Sequence, residues 1–143
     1  MEGACFMATK PTARLVYDSS TVQATTAGSN ITFTSVTSNT PDIAYDNGVV
    51  YLKAPGIYRI DANFTMIATA AGATGVTLYE GGNAVPGARG AASASAIGDS
   101  ASVAFSAIST VRAGASGSYA QMTFRSAYVT SFEVANAIIE KVG

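Results

Sequence analysis

Lys53-Ala54-Pro55-Gly56-Ile57-Tyr58-Arg59-Ile60-Asp61-Ala62-Asn63-Phe64-Thr65-Met66 decides the fold. From Tyr58 onward, Ile60, Ala62, Phe64 and Met66 share one face, while Arg59, Asp61, Asn63 and Thr65 share the other. Strict alternation of this kind is the signature of a strand with one buried side. Pro55-Gly56 sets where the strand starts, because Pro presets one dihedral and Gly supplies the permissive one. Tyr58, Ile60 and Phe64 are therefore expected in a core.

Working outward, similar runs recur, with strands predicted near 14–18, 31–36, 42–45, 49–53, 57–68, 75–80, 84–95, 101–112, 119–128 and 131–142. Asp46-Asn47-Gly48 is a strong hairpin signal, and Gly81-Gly82-Asn83, Gly98-Asp99 and Gly114 to Gly117 mark further turns. The Ala-Ser alternation between Ala91 and Ala96 reads as extended rather than helical. About ten strands with no room for helices between them predict an all-β protein, two antiparallel sheets packed face to face. A jelly roll is the natural closed solution; an immunoglobulin-like sandwich or a small barrel are the alternatives. The absence of Trp and of a second Cys removes the antibody-type core. Val76, Leu78, Val103, Phe105 and Phe124 join the predicted core.

The chain has 143 residues, enough for one domain with a real core. Charged residues make up 12%, about half the usual share, and Ala, Ser, Thr and Gly fill the gap. So little charge predicts a subunit covered by copies of itself or by a larger assembly. The eight basic residues are scattered singly and the net charge is −1, so no stripe tracks a phosphate backbone and nucleic acid is not expected as a partner. Met1 to Met7 carries no basic or apolar run of signal-peptide type, Met7 is an alternative start, and no segment is long and apolar enough to insert in a membrane. Residues 1–24 read as an N-terminal attachment arm and 25–143 as the jelly roll. Leu15, Val16 and Tyr17 are the best docking segment of that arm, since extended arms add a strand to an exposed sheet edge.

Catalysis finds no support. The chain has no histidine, which removes Ser/His/Asp and Cys/His arrangements and the commonest metal ligand. The single Cys5 lacks an activating partner in the sequence. Asp42, Asp46 and Asn47 offer oxygens for calcium, but without alternating acids they read better as a hydrogen-bonded turn before Gly48. No two carboxylates come with an aromatic sugar platform, and the glycine turns lack the Lys and helix start of a phosphate loop. The chain is expected to be no enzyme, with no cofactor and no metal.

Gly48-Val49-Val50-Tyr51-Leu52-Lys53-Ala54-Pro55-Gly56-Ile57-Tyr58 resembles the trimeric jelly rolls of the tumour necrosis factor superfamily and the globular head of the first complement component. There a Pro-Gly-x-Tyr turn leads into a long core strand. Val76 to Asn83 resembles the next strand and its glycine turn, Gly98 to Val103 a Gly-Asp-x-Val lead into a late core strand, and Ser131 to Val142 the closing strand. The likeness covers residues 40–143. Its Ala/Ser/Thr-rich style is similar to phage head-fibre and decoration proteins and to bacterial spore-surface members, though no Gly-X-Y stalk accompanies it.

The resemblance implies a homotrimer whose threefold axis is lined by one sheet. Small outward residues are the natural candidates for that lining: Asn63, Thr65 and Ile67; Ala104, Ser106 and Ile108; and Ala135, Ala137 and Ile139. The expected function is a structural protein on a virion surface, partnered by itself and by a capsid, tail or other surface protein. The alternative is an adhesin module that binds a host glycan or receptor, on a bacterial cell or spore surface.

Overall fold

The computed structural model describes residues 10–69, 71–112, 120–128 and 130–143, with backbone alone at residues 19 and 20. The described residues form ten strands: β1 (Thr12–Thr25), β2 (Ser35–Ser38), β3 (Ile43–Asp46), β4 (Val49–Leu52), β5 (Gly56–Ile67), β6 (Gly72–Glu80), β7 (Asn83–Ala94), β8 (Ser100–Val111), β9 (Ala120–Ser126) and β10 (Thr130–Lys141). They make two five-stranded antiparallel sheets, sheet A in the order β2-β1-β10-β5-β8 and sheet B in the order β3-β4-β9-β6-β7. The architecture is an all-β jelly roll.

The long strand behaves as its alternation demands. Tyr58, Ile60, Ala62, Phe64 and Met66 of β5 point inward and are buried. Gly56 opens the strand at φ 148°, and a Cβ there would stand 2.5 Å from the Gly143 carbonyl oxygen, so both conformation and space call for glycine. The Tyr58 hydroxyl donates to the Ala54 carbonyl at 2.8 Å, tying the strand start to the turn before it. Burial, and after it the Asp42 carboxylate, push the Tyr58 phenol above its ordinary value. Asn47 (φ 46°) and Gly48 (φ 87°) make a two-residue hairpin between β3 and β4. Two successive positive φ values are those of a type I′ turn, whose twist matches the strands it joins.

Between the sheets lies an aromatic cluster. Phe64 of β5 sits 5.7 Å from Phe124 of β9, 6.0 Å from Phe132 of β10 and 6.1 Å from Phe105 of β8, centroid to centroid. Phe124 in turn meets Phe33 edge-on at 5.7 Å. Each ring is at an offset or edge distance that adds to simple area burial. Val76, Leu78 and Val103 complete the expected core and are buried.

Three expectations are corrected. Residues 31–36 are only partly a strand. Ile31 and Phe33 are buried, but they lie in a connection whose ladder is the single bridge Asn30↔Arg125, and β2 starts at Ser35. Leu15-Val16-Tyr17 is no free docking segment. It belongs to β1, held between β2 and β10, with Leu15 and Tyr17 in the core. Its partner β10 lies over a hundred residues away in the chain, so nothing local to β1 announced the pairing. Ala135, Ala137 and Ile139 do not face outward; all three are buried. The cause is a β-bulge in β10: Phe132 pairs with Met66 and Val134 with Thr65, so Glu133 is an extra residue. One extra residue reverses the alternation, leaving Val134, Asn136 and Ile138 on the outer face.

Candidate interaction faces

On the outer face of sheet A the register stacks side chains in rows across the strands. One row runs Val16, Asn136, Asn63, Ala104 through β1, β10, β5 and β8. The next, away from the start of β1, runs Asp18, Val134, Thr65, Ser102, and the one toward it runs Arg14, Ile138, Asp61, Ser106. Beyond it Ile108 stands opposite Arg59, and then Ile57 opposite Thr110. Ile57, Ile108 and Ile138 are 40%, 58% and 43% exposed, unusual for aliphatic side chains this large. Asp61 is held by Arg59 at 3.0 Å and by the Ser106 hydroxyl at 2.7 Å. Asn136 Oδ1, in the central strand, is covered yet accepts no hydrogen bond. Covered amide oxygens normally find a donor.

Six of the nine residues proposed for a threefold lining thus lie on this face: Asn63, Thr65, Ile67, Ala104, Ser106 and Ile108, all outward on β5 or β8. Val16, Val134, Asn136 and Ile138 belong with them and were missed, the last three because of the bulge. Cys5 and the turn from Gly114 to Gly117 lie outside the described residues.

The outer face of sheet B has a different chemistry. Thr77 of β6 lies between Arg125 of β9 and Arg89 of β7, directly opposite both. The Arg125 guanidinium lies over the Tyr79 ring, 4.3 Å from its centroid, and its Nε donates to Thr123 Oγ1 at 3.1 Å. Beside this row β7 leaves register: the pairing jumps from Thr77↔Arg89 to Tyr79↔Ala84, so Val85 to Ala88 form a bulge in which Ala88 is buried and Pro86 and Gly87 are exposed. Pro86 sits in that bulge, where a missing N–H costs no ladder bond. Two open hollows result, of about 350 Å³ and about 450 Å³, which share Thr77 and Arg89 in their walls. Tyr128 lines the first and Tyr79 the second. Alternation through β9 and β6 marks Thr123, Arg125, Thr77 and Tyr79 as outward, but the partnership with Arg89 depends on the register.

The start of β1 and the end of β10 lie together. Thr12 pairs with Glu140, and the Ile57 N–H donates to the Gly143 carbonyl at 3.1 Å. The start of β1 and the end of β10 therefore lie at one pole of sheet A.

No protein-family profile matches the chain, and no curated protein matches it. Solved structures do. The chain is similar to the Eiger tumour necrosis factor of S. frugiperda, with TM-score 0.74 and 13% identity over 94% of this chain and 93% of that one. Murine APRIL gives TM-score 0.70 and 10% identity, covering 94% of this chain and 100% of the other. The PRD1 vertex protein P5 gives TM-score 0.57 and 14% identity over 93% and 97%. At such identities the likeness speaks for the fold alone, and that fold is the tumour necrosis factor-like jelly roll.

Proposed function

We propose that this chain is a non-enzymatic structural protein that assembles as a homotrimer through the outer face of sheet A and stands on the surface of a phage capsid or tail. The observation that carries the reading is the middle of that face. Directly beside Asn136, with its unbonded Oδ1, stand Val16, Asn63, Val134 and Ile138, with Ala104 beyond Asn63, all uncharged, while Arg14, Asp18 and Asp61 stand only diagonally. A face of this kind is uncomfortable in water and suits close contact with copies of itself. The six outward residues of β5 and β8 named above, together with Val16, Asn136 and Ile138, form the contact.

The setting on a particle draws support from the shared fold of a phage vertex protein. Attachment is assigned to the segment ahead of Thr12, since β1 itself is part of the sandwich. Light scattering on the purified chain at micromolar concentration is expected to give three times the chain mass. A single-chain mass overturns the assembly. Removing residues 1–9 is expected to leave that mass unchanged and to abolish incorporation into the parent particle, read by mass spectrometry of purified particles.

A further inference from the structure

We propose that the outer face of sheet B binds an acidic saccharide, with Arg89 and Arg125 taking its carboxylate, Tyr79 holding Arg125 in place and Tyr128 flanking a sugar ring. The two arginines flank Thr77 in one row. Two strand spacings put their Cα atoms roughly 10 Å apart, within mutual reach of one anionic ligand. Neither is ion-paired to a carboxylate among the described residues. A chain with only eight basic residues thus places two of them on one short row with no carboxylate paired to either among the described residues. Like charges brought together favour whatever anion settles between them.

The row is also shaped for a ligand. Arg125 is held by its bond to Thr123 and by the Tyr79 ring, so little side-chain freedom remains to be lost on binding. A planar guanidinium matches a carboxylate with two parallel N–H···O bonds. The Thr77 hydroxyl adds a group that both donates and accepts, suited to a sugar hydroxyl. Tyr128 is 45% exposed at the rim of the hollow beyond Arg89. An open aromatic ring there offers a flat surface for the apolar face of a pyranose, with few side-chain rotors to freeze. Two hollows meeting at Thr77 and Arg89 give room for a sugar on either side of the carboxylate. Nucleic acid fits less well, because two cations make no stripe along a phosphate backbone and the net charge is −1.

The inference depends on the proposed function only in leaving sheet B uncovered. Titrating the full chain with trigalacturonic acid, by calorimetry and by backbone amide shifts, is expected to saturate with shifts centred on Thr77, Arg89 and Tyr128. The exposed substitution Arg89→Gln is expected to weaken binding about tenfold, the usual scale for a lost charge-assisted hydrogen bond, and Tyr128→Ala to weaken it as well. Neutral galactotriose and acetate are the controls, and each is expected to bind far more weakly. No saturation at millimolar trigalacturonate, an unchanged affinity in Arg89→Gln, or equal affinity for acetate each overturns the assignment. The chain mass is measured on the same sample. A trimer that ignores the acidic sugar refutes this inference alone, and a monomer that binds it refutes the assembly alone.

Discussion

The two outer faces of the sandwich differ far more than the two inner ones. Inward, both sheets present the same aliphatic and aromatic chemistry, and Phe64 of sheet A meets Phe124 of sheet B at 5.7 Å as though they belonged to one surface. Outward, the middle of sheet A carries Val16, Val134, Asn136, Asn63 and Ala104, whereas sheet B carries Arg89, Thr77, Arg125 and Tyr79. Folding constrains the inward positions tightly, since each must fill its share of a close-packed interior. It leaves the outward ones nearly free. A difference between outward faces therefore reflects what each meets after folding is complete, which on the two proposals above is an assembly partner on one side and a solvated ligand on the other.

The largest effect that tests this contrast comes from two adjacent residues. Ala137 is in the core and Ile138 on the outer face of sheet A. Ala137→Glu puts a charge among buried side chains at a cost of several kcal/mol and is expected to give an unfolded or insoluble chain by far-UV circular dichroism. Ile138→Glu is expected to keep the spectrum and most of the stability, yet to yield a single-chain mass by light scattering. A folded Ala137→Glu protein would break the assignment of faces.

A smaller effect comes from between the sheets. Tyr58→Phe removes the bond to Ala54 and is expected to cost about 1 kcal/mol at neutral pH, read by urea melts. Its pH dependence sharpens the test. The folded chain holds the phenolic proton more tightly than the unfolded one, so this contribution is intact below the unfolded value of 10.0 and falls as pH rises through the higher folded value. The gap between wild type and Tyr58→Phe is expected to be constant below pH 10.0 and to narrow above it. A gap that widens instead would mean that the phenol ionises more readily in the fold.

The smallest effect belongs to sheet B. Arg125→Gln loses a partly exposed cation–π contact with Tyr79, worth about 0.5–1 kcal/mol. It is expected to lower the thermal midpoint slightly and to leave the trimer mass unchanged. A loss of assembly here, larger than that from Ile138→Glu, would reverse the roles of the two faces.

Much of the fold was legible where the determinant was local. Pro55-Gly56 and the alternation after it placed β5 to within a residue, and Asn47-Gly48 placed its hairpin, because dihedral preference and side-chain period act over a few neighbours. The outward face of β8 was legible for the same reason. The face of β10 was not. Glu133 sits in an unbroken strand-like run, and its extra position exists only relative to the register of β5, some seventy residues earlier. The same holds for β1, whose role depends on β10, and for the Arg89–Thr77–Arg125 row, which needs three strands in register before it exists.

The meeting of the first and last strands has a practical side. Thr12 and Glu140 are cross-strand neighbours, the relation that a hairpin connects with a handful of residues. With the residues ahead of β1 removed, a short Gly-rich linker from the end of β10 to the start of β1 closes the polypeptide into a ring without crossing the sandwich. New termini can then be cut at the exposed Asn47 tip, moving the ends from sheet A to sheet B while every strand keeps its partners. A permuted chain of that kind would carry fused cargo from the β3–β4 hairpin and leave the original pole with no ends at all.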